Sequence, residues 1–110
     1  RQKSIDLTDY FIELVESMCE GYGLVLGSPR DSNRRGSQVC FTHSQGWPMM
    51  QALIGHGVIG DFRAPDILRF GFAPLYLRYE DVWLAAAMLA ELLASDAWKN
   101  PVYAKPKLVT

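Results

Sequence analysis

The feature that most constrains this chain is the way its hydrophobic period changes along its length. Leu7, Tyr10, Phe11, Leu14, Val15 and Met18 recur at three- and four-residue steps, which places them on one face of a helix. The spacing predicts a helix over residues 4–20, with Asp9, Glu13, Glu16 and Glu20 forming a solvated acidic face. Gly21 and Gly23 follow, and glycine readily supplies the positive-φ positions at which helices end. Val39 and Phe41 then alternate with Gln38, Cys40 and Thr42, the two-residue period of a strand. The short apolar run 24–27 predicts its partner, so residues 24–43 read as a long-looped hairpin around the polar turn 28–36.

Pro48 suits the first turn of a second helix, whose apolar side is Met49, Met50, Leu53 and Ile54 and which ends at Gly55-His56-Gly57. Residues 58–62 and 67–72 predict two more strands around a proline-containing turn at 63–66. Glu80 and Asp81 sit where a helix start favours negative charge, and 82–94 is rich in the strong helix formers Ala and Leu. The expected order is α-β-β-α-β-β-α, an α+β two-layer sandwich with helices on one face of a small antiparallel sheet. Residues 1–22 form the helix leading in, 23–95 the small domain, and 96–110, with two prolines and three lysines, an extended tail, docked or frayed.

Composition bounds the function. With 11 basic and 12 acidic side chains in 110 residues the formal charge is −1, so nothing global favours nucleic acid or an anionic membrane. An apolar share of 49% suits one folded domain burying about 60–70% of its unfolded surface. No run approaches the ~18 apolar residues of a membrane helix, and no basic signal segment is present. Cys19 and Cys40 lack C-x-x-C spacing and a histidine cluster, which argues against zinc. They are read as reduced core thiols of a cytoplasmic protein, with a disulfide as the alternative. The chain starts at Arg1 rather than Met and enters a helical pattern at once, as a piece of a longer protein would.

Candidate chemistry concentrates in residues 57–76, GVIGDFRAPDILRFGFAPLY. Arg69 stands inside an apolar strand, on the face opposite Leu68 and Phe70. The readings remain open: this face is solvated, or Arg69 pairs with a carboxylate such as Asp61 or Asp66, or it is a rigidly held guanidinium that grips a ligand carboxylate in bidentate fashion. Arg63 is read as a structural ion-pair partner of Asp61 or Asp66, and Arg30, Arg34 and Arg35 as a solvated hairpin tip, since their loop lacks the spacing of a phosphate cradle. Neither His43 nor His56 has partners at the positions a catalytic triad needs. Trp47, Trp83 and Trp98 are read as packing residues. The only lysines are Lys3, Lys99, Lys105 and Lys107, so residues 4–98 hold no candidate for a Schiff base.

The run GVIGDFRAPDILRFGFAPLYLRYEDVW resembles the C-terminal region of bacterial kynureninases, pyridoxal-phosphate enzymes of the aspartate aminotransferase fold type. Upstream, RQKSIDLTDYFIELVE resembles that family's helix leading into the small domain, and RRGSQVCFTH with GWPMMQALIGHGVIGDFR its hairpin and following helix. The similarity runs from about residue 1 to about residue 98. It implies hydrolysis of L-kynurenine, or its 3-hydroxy form, to anthranilate and L-alanine in tryptophan catabolism, with pyridoxal phosphate as electron sink. It also implies a homodimer, with the cofactor bound by a large domain outside this sequence. Arg69 matches the arginine that binds the substrate's α-carboxylate. This fragment would then supply that anchor and a wall of the site without being active alone. An amino-acid-binding regulatory domain, or a degenerate relative retained for dimerisation, are the alternatives.

Overall fold

The computed structural model describes residues 2–72 and 78–104. Three helices, α1 (Gln2–Met18), α2 (Gly46–Gly55) and α3 (Tyr79–Ser95), accompany four strands, β1 (Val25–Leu26), β2 (Gln38–Thr42), β3 (Gly60–Arg63) and β4 (Ile67–Gly71). The element order is the expected one. Every strand pair is antiparallel, and the sheet runs β1-β2-β4-β3. The second hairpin thus inserts β4 beside β2, at the middle of the sheet. This is the α+β sandwich architecture.

The two sheet faces differ as strand alternation demands. Val39 and Phe41 of β2 and Leu68 and Phe70 of β4 are buried under the helices. Phe11 of α1 is the peg of this core, with its ring centroid 4.9 Å from those of Phe70 and Phe72 and 6.1 Å from that of Phe41. Burial on α1 is rotated slightly from the expected stripe. Thr8 and Ile12 are buried with Leu7, Phe11 and Val15, whereas Tyr10, Leu14 and Met18 are only partly covered. The reason is α3, which packs along the flank of α1, where Tyr10 meets Tyr79 edge-on at 5.3 Å.

Element boundaries follow local chemistry. Gly21 and Gly23 both adopt φ +85°, ending α1 two residues before the expected position. The Asp81 carboxylate accepts the Arg78 N–H at 2.8 Å, occupying an orphan donor at the start of α3. The first part of the tail is docked: short 3₁₀ turns at Ala97–Lys99 and Pro101–Tyr103 lie against α2. Residues 105–110, with Lys105 and Lys107, and residues 73–77, which complete the RFGFAPLY motif, lie outside the described residues, as does Arg1.

One expectation is corrected. Of the turn's arginines, Arg30 and Arg34 are exposed as expected, but Arg35 is not part of a solvated tip. Arg35 is buried, its side chain 2% exposed, and donates to Thr8 Oγ1 at 3.0 Å, to the carbonyls of Pro29 and Arg30 at 3.2 and 3.0 Å, and to the Asp9 carboxylate. Arg30 forms a two-pronged pair with Glu16 at 2.8 and 2.6 Å. The acidic side of α1 therefore faces the turn instead of water alone. Five fixed donors let one guanidinium satisfy carbonyls, a hydroxyl and a carboxylate together.

Candidate functional site

The sheet face away from the helices carries the candidate chemistry. Register aligns Cys40 of β2, Arg69 of β4 and Asp61 of β3 in one row across the three strands. Arg69 Nε donates to Asp61 Oδ1 at 2.8 Å and Nη2 to Oδ2 at 2.5 Å. These bonds, with smaller help from the Arg63 charge, hold the Asp61 carboxyl below the usual carboxylate range. The same pairing raises the Arg69 guanidinium. Arg69 is 23% exposed at the side chain and Asp61 53%, so the pair is open to solvent.

Backbone packing fixes this row. A Cβ built on Gly60 would stand 2.8 Å from the Arg69 carbonyl oxygen and 3.0 Å from the Met50 methyl. Glycine at 60 is what lets β3 approach β4 this closely, one residue before Asp61. On the opposite face Leu68 and Phe70 clamp β4 into the core on both sides of Arg69. The guanidinium is therefore mounted on a rigid strand.

The other candidates are elsewhere. Arg63 makes no ion pair among the described residues, contrary to expectation; it acts on Asp61 only through its field. The backbone carbonyl of Asp66 accepts the His43 N–H at 3.0 Å, while its carboxylate stays out of the row. His43 is buried. Its Nδ1 accepts the Gln45 N–H at 2.9 Å, so Nε2 carries the proton and donates to the Tyr22 carbonyl at 2.8 Å. His56 Nδ1 sits 2.8 Å from the Ala52 carbonyl. Both are structural. Cys19 and Cys40 are free thiols, and burial pushes Cys19 up to about 11. Trp47 packs edge-on against Phe62 at 5.5 Å and Trp98 against His43 at 6.3 Å, but Trp83 is exposed.

A cavity of about 670 Å³ opens on the helix side of the sheet, lined by Val58, Ile59, Phe70, Phe72, Leu84 and Met88. Its polar neighbours are already engaged: Asp81 caps α3 and His56 caps α2. Among the described residues, the Arg69 row sets a half-exposed guanidinium on the sheet face away from the helices.

The family model of the kynureninase C-terminal domain matches residues 1–89. The chain belongs to the kynureninase C-terminal domain family. It is 53% identical over all 110 residues to kynureninases of Burkholderia mallei strain SAVP1 and Burkholderia pseudomallei strain K96243. It is 51% identical over 98 residues, 89% of this chain, to a kynureninase of Pseudomonas fluorescens. The chain spans about a quarter of the length of these relatives, 26% of the Burkholderia proteins and 24% of the Pseudomonas protein. Among the described residues of this kynureninase C-terminal domain, no helix is long and apolar enough to cross a membrane.

The Asp61–Arg69 pairing had a signal in the sequence. The two residues lie equally far before and after Pro65, so a hairpin centred there must set them opposite each other. The burial of Arg35 had none, since a turn rich in Ser, Asp, Asn and Gly gives no sign of folding back on a helix.

Proposed function

We propose that this domain is the carboxylate-binding wall of a kynureninase, an enzyme that hydrolyses the Cβ–Cγ bond of L-kynurenine to give anthranilate and L-alanine. The observation that carries the reading is Arg69, a guanidinium fixed on a central strand, on the open sheet face, in a chain of this family. Its role is to hold the substrate's α-carboxylate so that the amino acid enters in one orientation. Substrate binding thereby restricts the geometry at the reacting carbons before chemistry begins.

Pyridoxal phosphate, which supplies the electron sink in such enzymes, finds little support for a site of its own in the described lysines of this chain. Lys3 is exposed on α1, and Lys99 pairs with Asp96 at 3.4 Å and lies 5.4 Å from the centre of the Trp98 ring. Neither stands beside Arg69. The cofactor is therefore assigned to a larger domain of the parent protein, and the homodimer and cytoplasmic location belong to the same reading.

The test is anthranilate fluorescence from the full-length parent supplied with pyridoxal phosphate and L-kynurenine. Product that forms with the parent and falls about 100-fold or more in kcat/KM with a folded Arg69→Ala variant supports the assignment, as expected for loss of a charged contact of several kcal/mol. Normal turnover by that variant sinks the anchor. A parent that binds the cofactor but yields no anthranilate would move the substrate to another amino acid, and one that binds no cofactor would favour a regulatory amino-acid-binding role.

A further inference from the structure

A guanidinium offers a carboxylate two bidentate edges, one formed by Nε and Nη2 and one by the two terminal nitrogens. In Arg69 the first edge is filled by Asp61, through Nε–Oδ1 at 2.8 Å and Nη2–Oδ2 at 2.5 Å. Nη1, by contrast, has no partner among the described residues, and the side chain keeps 23% of its exposure. Asp61 thus grips the side of the fork and leaves its end unpaired.

We propose that Asp61 is the positioning residue of the carboxylate site, locking Arg69 so that its terminal edge receives the ligand's carboxylate. The inference rests on the reading of Arg69 as the anchor and deepens it. Internal pairing and ligand binding, which look like rival roles for one arginine, use different edges and coexist. Three features of the row support this. Asp61 sits directly across from Arg69 in register, so its reach needs no bent backbone. Gly60 permits the close approach of the two strands at that point. Arg63, two residues along on the same face of β3, makes no ion pair among the described residues and adds a second positive charge beside Asp61. With Arg69 and Arg63 against Asp61, this part of the face retains an excess of one positive charge for an incoming carboxylate. Cys40, on the other side of Arg69, is the neighbour from β2.

The experiment uses the full-length parent, with Asp61→Ala and Asp61→Asn compared on L-kynurenine and on its analogue lacking the α-carboxylate. Asp61→Ala should raise KM for L-kynurenine about tenfold with kcat changed less than about threefold, because the fork is loosened while the chemistry is untouched. Asp61→Asn should fall in between, since its amide oxygen still accepts one N–H. Binding of the carboxylate-free analogue should be unchanged in both, whereas a general loss of fold would weaken both ligands alike and overturn the specific role. Unchanged KM in Asp61→Ala, with KM still raised in Arg69→Ala, overturns the positioning role and leaves the anchor standing. Tighter binding of L-kynurenine to Asp61→Ala would make Asp61 a competitor and also overturn it. If Arg69→Ala itself leaves KM unaltered, the underlying reading fails first.

Discussion

Arg35 and Arg69 carry the same guanidinium into opposite surroundings. Arg35 is buried against α1, with both terminal nitrogens engaged by carbonyls, a hydroxyl and Asp9 and only Nε left without a partner among the described residues, so its work is architectural. Arg35→Ala should lower stability by about 1–3 kcal/mol, because the Pro29 and Arg30 carbonyls lose their donor in a place water reaches poorly. Arg35→Lys should recover little of this, since one ammonium cannot span the same acceptors. Urea midpoints of the three proteins check it. Arg69, half-open, behaves differently: its partner Asp61 has a depressed carboxyl, so its stabilisation is complete above the unfolded value of about 4 and is lost as the pH falls through the lower folded value. The effect is small for an exposed pair and shrinks with salt. The drop in urea midpoint between pH 6 and pH 3 should therefore be smaller for Asp61→Asn than for the parent chain.

At the scale of elements, the β3–β4 hairpin is the unit that makes the proposed site. It sets Asp61 opposite Arg69, and its insertion beside β2 gives Arg69 a neighbour on each side. Gly60→Ala pushes a methyl into the Arg69 carbonyl and the Met50 side chain. It should cost about 1–3 kcal/mol, the range for overfilling a packed contact. A Gly60→Ala chain with an unchanged thermal midpoint would contradict this close approach. Phe11 belongs to the opposite layer yet supports the same strand, by packing on Phe70 next to Arg69. Phe11→Ala should remove about 3–5 kcal/mol through the cavity it leaves. Its signature in the parent enzyme would be lost thermal stability at normal substrate affinity, so long as the protein remains folded. That contrast separates the core of the hairpin from its proposed binding face.

For the whole molecule, the 110-residue chain mixed with pyridoxal phosphate and L-kynurenine should release no anthranilate, measured by fluorescence against the full-length parent. A signal from the chain alone would place the cofactor site within it. The element order, the antiparallel sandwich and the core positions were legible in the sequence because each rests on local information: hydrophobic period, glycine and proline punctuation, and charge at a helix start. Leu68, Arg69 and Phe70 show this at its clearest, since strand alternation alone assigns their faces. Edges of elements shifted by a residue or two, and α1 turned slightly, because the α3 contact competes with the sheet for its apolar stripe. What the tertiary structure decided was pairing. The inward fold of Arg35, the docking of Trp98 and Tyr103 against α2, and the sharing of Arg69 between Asp61 and an open edge all join residues distant in the chain or on separate strands. Periodicity reports which face a side chain occupies. Only the register of strands and the packing of layers determine what it meets there.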